Sequence, residues 1–338
     1  LTDVSMDITN FTNGLLIQTN SDGSAPTTGT LSSALANIGI GTDVFKTLTS
    51  GDYNVGIGNE ALDALTTGSH NIAIGHATCS NFDTETDNIA IGKDALSGPV
   101  AGGEHNVCIG QSAGDAITSA DYNIFIGQDT GTAATSGGGN VAVGYNAGSG
   151  INTGINSTLV GISAGAGVTS GGGIIAIGKD AGRTGSPGGN ISTASDIVAI
   201  GDEHIGACHI QTDWTVASDK RDKTDIESIK MGLDFVNKLE PITYRWDKRS
   251  KYNKDLNTTP TGEHKENWLD TGFLAQDVEV LEEEYGYKIE DNTNITTNLS
   301  EDGKQYGLTY AKFVPILTKA IQELSAEVKE LKTKLEAK

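Results

Sequence analysis

The chain has 338 residues, 36% of them apolar and 6% aromatic, with 44 glycines and a formal net charge of −21. That length allows two or three domains, and the apolar share is thin for one large globular core. Such acidity weighs against a nucleic-acid partner, because phosphate binding needs clustered Lys and Arg, and it reads as solubility for a long exposed surface. No run approaches the ~20 apolar residues of a membrane-inserted helix, and residues 1–20 lack the basic start and apolar centre of a signal peptide. Cys79, Cys108 and Cys208 are odd in number, with no CxxC pair and no histidine at zinc-ligand spacing. Neither a disulfide framework nor a metal site is expected, and no cofactor; Cys79 and Cys108 read as small packing residues.

Residues 1–30 form an irregular N-terminal segment in which Ile8–Phe11 and Leu15–Gln18 read as short strands. The chain opens at Leu1, as a fragment or a processed chain would. Residues 31–201 carry a repeat. An apolar unit ending in Gly recurs as Asn54-Val-Gly-Ile-Gly58, Asn71-Ile-Ala-Ile-Gly75, Asn88-Ile-Ala-Ile-Gly92 and seven more times, with terminal glycines 17, 17, 17, 18, 17, 17, 17, 17 and 23 residues apart. A period of that length, with a strand in every unit, predicts a β-solenoid. Ile and Val two residues apart share one strand face, which predicts an interior Ile/Val stack, with the intervening Ala or Gly outside and facing a neighbouring chain. The glycine is expected in a turn conformation closed to residues with a Cβ, and the recurring Asn as an amide ladder.

Nothing in the array has the form of a phosphate loop. His76, His105, His204 and His209 stand singly. The acids Asp83, Glu85 and Asp87 read as a solvated loop rather than a glycosidase pair or a calcium site. Residues 202–217, with Ile205, Ile210, Trp214 and Val216, break the period and are expected to cap the last turn.

Composition changes sharply at Ser218. Before it lie 38 of the 44 glycines and four Lys or Arg; after it lie six glycines and 19 Lys or Arg. The junction, Ser218-Asp219-Lys220-Arg221-Asp222-Lys223, sets a hydroxyl and an amine five residues apart, a nucleophile and a base if the lysine loses its proton. By itself the hexapeptide reads as a solvated, charged linker. Further on, Ile226, Ile229, Leu233, Val236 and Leu239 predict a helix stopped by Pro241. Strands are expected at Ile242–Trp246, Gly272–Ala275 and Tyr306–Tyr310, and a helix over Gln276–Tyr285. Tyr310, Val314, Leu317, Ile321, Leu324, Val328, Leu331 and Leu335 alternate by four and three, a coiled-coil seam whose composition suits two strands or three.

The segment Ala217–Ile226 resembles the Ser-Asp-x-Arg-x-Lys opening of the C-terminal intramolecular chaperone of phage tail spikes and tail fibres, the endosialidase type. Leu239–Trp246, Gly272–Val278 and Ala320–Leu324 resemble that family's later motifs in the right order. The array resembles the β-roll head repeats of trimeric autotransporter adhesins. The resemblance implies a small α+β chaperone at 218–309 and a parallel trimeric coiled coil at 310–338. It also implies a homotrimer built into a virion, made in a host cytoplasm, meeting a host receptor or glycan, and self-cleavage at Ala217–Ser218. Ser218 would be the nucleophile and Lys223 the general base, with Asp219, Arg221 and Asp222 fixing the loop. A non-cleaving trimeric adhesin with a permanent stalk, and a spike that degrades polysaccharide, are the alternatives.

Overall fold

Each Asn-x-x-x-Gly unit forms a three-residue strand, as its β-branched content favours. The computed structural model describes residues 4–5, 11–12, 14–17, 32–99, 102–186, 188–212 and 214–337, and the chain divides into two compact units, Leu1–His204 and Ile205–Lys338. In the first unit, ten three-residue strands from Ile38–Ile40 to Val198–Ile200, the first seven preceded by Asn and the last three by Ser157, Ile174 and Ile197, pair in parallel and in sequence order, with Leu15–Ile17 joined ahead of them. Register repeats from turn to turn, so that Ile72 lies beside Ile89, Ala73 beside Ala90 and Ile74 beside Ile91. The unit is a β-solenoid. The expected strand at Ile8–Phe11 falls mostly outside the described residues, and Phe11–Thr12 pairs with Ala34–Leu35.

The Asn ahead of each of the first seven of these strands is buried and its side-chain amide is hydrogen-bonded. Asn54 donates its backbone N–H and its Nδ2 to Asn37 Oδ1, at 2.8 and 3.1 Å, while Asn37 Nδ2 donates to the Gly51 carbonyl at 2.8 Å. The same backbone bond links Asn71, Asn88, Asn106, Asn123 and Asn140 to the Asn of the preceding turn. The ladder persists across the 18-residue turn before Asn106. Ser157 continues it by donating its N–H to Asn140 Oδ1 at 3.0 Å. The expected amide ladder is present, and so is the glycine constraint. At Gly58 φ is +137°, and a Cβ would lie 2.1 Å from the Gly75 carbonyl oxygen. No side chain fits there.

The sidedness of the strands is the reverse of the expected one. The middle residue of each strand is buried, as at Ala73, Ala90, Cys108, Phe125 and Leu159, and the flanking Ile and Val face outward. The interior is filled by other residues, including Val44, Leu65, Phe82, Ile117 and Ile151, which join the middle residues in one continuous core. Corners made by left-handed residues turn these side chains inward; Phe45, Leu62, Cys79 and Leu96 all have φ of 53–55°. Because the chain folds back close to the sheet, only a small middle residue leaves room for a large corner residue. Gly39 lies against Phe45, where a Cβ would come within 2.9 Å of the ring. The large middle residues invert the pattern. Phe125 is accommodated by Gly114 and Gly131, and Leu159 by Gly148 and Gly165.

The second unit is α+β. The expected helix from Ile226 to Leu239 is only Leu233–Lys238, because Gly232, at φ −140° and ψ −134°, interrupts it and Leu239 is already extended ahead of Pro241. Ile229 and Met231 nevertheless reach the core formed by Phe235, Val278, Phe313 and Ile316. Ile242–Tyr244 pairs antiparallel with Asp270–Gly272, slightly upstream of the expected strand. The helix Ala275–Glu284 follows, and then a second pair, Thr297–Leu299 with Tyr306–Leu308, whose first strand is not among the expected elements. Its anchor is the buried Glu282, whose carboxylate accepts from the Thr296 N–H and hydroxyl and from the Thr297 hydroxyl, each at 2.6 Å.

The last helix, Phe313–Glu336, packs into the unit through Phe313, Ile316 and Ala320. Its seam lies elsewhere: Val314, Ile321, Leu324 and Leu331 are 48–64% exposed. Among the described residues, no helix is long and apolar enough to cross a membrane.

Two substitutions test the solenoid. Phe125→Ala empties a site shaped by two glycines and is expected to destabilise the unit by about 3–5 kcal/mol. Asn88→Ala strips partners from Asn106 N–H and the Gly103 carbonyl and is expected to cost about 2–4 kcal/mol. Denaturant unfolding followed by circular dichroism reads both; a change near zero at Asn88 would remove the ladder from the account.

Candidate active site

Ser218 and Lys223 are brought together by a single 3-10 turn, Lys220–Asp222. Asp219 opens it: one carboxylate oxygen accepts the Arg221 N–H at 2.9 Å, and the Arg221 guanidinium closes on the same carboxylate, with Nη2 to Oδ2 at 2.6 Å. Hydrogen bonds from the guanidinium, and then from the Arg221 N–H, hold the Asp219 carboxyl below the usual carboxylate range. The turn ends where the Lys223 N–H donates to the Lys220 carbonyl, and Lys223 is extended at φ −119°, ψ 137°. Its side chain then runs back across the turn.

There the Lys223 Nζ donates to the Ser218 Oγ at 2.6 Å. Both residues are exposed, as are Ala217, Asp219, Arg221 and Asp222. The turn thus brings a hydroxyl and an amine into direct hydrogen-bond contact, with an ion pair pinning the loop between them.

The other candidates disperse. Glu85 is buried and spans its loop, accepting from the Asp83 and Thr84 N–H groups and from Gly102 N–H. Asp83 accepts from the Thr66 hydroxyl, and Asp87 faces His105 at 3.9 Å. Three carboxylates aimed at three partners make neither a glycosidase pair nor a calcium cage. Ile205, Ile210, Trp214 and Val216, expected to cap the array, are all exposed, and their segment holds no helix or strand among the described residues.

One grouping is absent from the expectations. The His204 Nδ1 lies 3.0 Å from Asp202 Oδ2 and 3.8 Å from Glu203 Oε1. Burial pushes the Asp202 carboxyl up, but hydrogen bonds from the His204 backbone and ring and the nearby Lys179 ammonium outweigh it, and the net direction is down. Lys179 Nζ stands 3.6 Å from that carboxylate. A cation is therefore already supplied by the chain. Consecutive acids followed by His were the available signal.

Residues 218–287 match the family model described as chaperone of endosialidase. The match opens at Ser218 itself and takes in Lys223, the first strand pair and the Ala275–Glu284 helix. The chain matches no curated protein and no solved structure. A chaperone-of-endosialidase segment behind a β-solenoid fits a tail-fibre-type protein with an intramolecular chaperone, and the family model is one of peptidases.

Proposed function

We propose that the chain is a segment of a viral tail fibre or tail spike whose C-terminal unit assembles three copies and then cuts itself away. The observation that carries this reading is the 2.6 Å bond between Lys223 Nζ and Ser218 Oγ at the head of the matched segment. In the proposed reaction the neutral Lys223 amine takes the Ser218 hydroxyl proton, and Oγ attacks the Ala217 carbonyl carbon. The Ala217–Ser218 C–N bond breaks to leave an ester, the Ser218 amine takes up a proton, and water then splits the ester into an Ala217 carboxylate and the restored Ser218 hydroxyl. Desolvation of Lys223 on assembly would make the cut follow folding rather than precede it.

Assembly is supported by the last helix. Its seam stays exposed while a different face packs into its own unit, so the apolar stripe is free for other copies. Registering three chains at one end lowers the alignment cost of pairing a long parallel array. The tethered chaperone acts at high effective concentration. The array then remains in the virion, where it meets a host receptor or glycan.

Intact mass under denaturing conditions tests the chemistry. Wild-type chain is expected as two fragments split at Ala217–Ser218, and Ser218→Ala and Lys223→Ala as single full-length species. Full-length wild type would overturn it in favour of a permanent stalk, and a Lys223→Ala chain cut at the normal rate would overturn the role of Lys223 as base. Leu324→Asp with Leu331→Asp is expected to abolish both the trimer, by light scattering, and the cut; cutting by a monomeric variant would separate catalysis from assembly.

A further inference from the structure

The outward face of the solenoid's long sheet has a composition its surroundings do not share. Ten strands offer two outward positions each, and nineteen of these twenty are Ile or Val, the other being Thr158. No charge interrupts them, in a chain with a net charge of −21. Parallel pairing in constant register stacks them into two straight rows. In the single chain eight of them are exposed, among them Ile38 at 41%, Ile124 at 38% and Ile177 at 44%, and the other twelve are half-buried. Just past the strand, most of the border is polar, with Asn59, His76, Lys93, Gln111 and Gln128, while Tyr145 and Ile162 extend the apolar face there.

We propose that this Ile/Val face is a self-association surface, packed in the assembled protein against the same face of two further copies of this chain. The inference rests on the trimeric reading above and names the surface through which the solenoids, as distinct from the C-terminal helices, hold together. Three features choose the occupant. The two rows present on the order of 1,000 Å² per chain, above the ~300–600 Å² of the largest patch on a typical monomer. An apolar centre with a polar border is the anatomy of such an interface. The rows also repeat at the strand spacing of about 4.8 Å over ten turns. A partner that matches every turn must carry the same repeat, and a second copy of this solenoid does so by construction.

Single cysteines in the full chain, kept uncut by Ser218→Ala, test it. Cys208 is exposed and is first replaced by Ser; Cys79 and Cys108 are fully buried, and burial raises both thiols, so they stay silent. Ile74→Cys and Ile91→Cys place a thiol on the face, and Tyr122→Cys places one on an exposed corner. With a trimeric mass by light scattering, the face thiols are expected to react with maleimide about tenfold or more slowly than the corner thiol. A trimer whose face thiols react as fast as the corner thiol would overturn this inference and leave C-terminal assembly standing. A monomer would overturn both. Ile74→Asp with Ile91→Asp gives a second readout, taken at a thiol added further along the same row, Val143→Cys. That thiol is expected to lose its protection while the C-terminal helices still hold three chains, and unchanged protection there would contradict the packing.

Discussion

The solenoid depends on one bond repeated: the buried side-chain carbonyl of an Asn accepting the backbone N–H of the Asn one turn later. It sets the offset between turns at the point where each strand begins. The neighbouring glycine approaches the next turn's carbonyl too closely for a Cβ, so that slipping by one residue would lose the amide bond and drive a side chain into backbone at once. A strand of three residues has little registry of its own; the ladder supplies it. Each turn therefore needs its neighbour, which is the thermodynamic character of a repeat array.

That constraint also decides which way the strands face. With the chain folded back close behind the sheet, the interior takes one middle residue per strand, small in most strands, and fills the remaining space from the corners. The β-branched pair is left outside. A single copy thus carries a core on one side of its sheet and an interface-like surface on the other. The final helix repeats this division, with Phe313, Ile316 and Ala320 turned into its own unit and the heptad seam turned out. On the proposed reading, the two outward surfaces meet the same copies at different times, the helix first and the sheet later, and self-cleavage then removes the part that set the register. Removing it leaves a kinetically trapped array.

Much of this is legible in the residues. The glycine spacing announces the solenoid, the Asn positions the ladder, and Ser218 with Lys223 the pair found in hydrogen-bond contact. The strand faces come out reversed because Ile-x-Ile is the same pattern whether it lines a core or an interface, and alternation alone cannot distinguish them. What decides is the left-handed φ at Leu62 or Cys79, which turns a corner residue inward and which no propensity for Leu or Cys announces. The complement between Phe125 and Gly131 is visible in principle, since a large middle residue coincides with glycine at the corner. In the second unit, helical spacing carries the expected helix back through Ile226 and Ile229, although Gly232 breaks the backbone between them and Leu233. The Thr297–Leu299 strand owes its place to Glu282, a contact made across sequence that no local pattern shows.

The central claim is that the solenoid copies hold one another once the C-terminal unit has gone. The direct measurement is sedimentation of the fragment ending at Ala217, after cleavage and removal of the C-terminal fragment, over a wide dilution range. The account predicts the mass of three chains, unchanged on dilution. A fragment that sediments as one chain would contradict it.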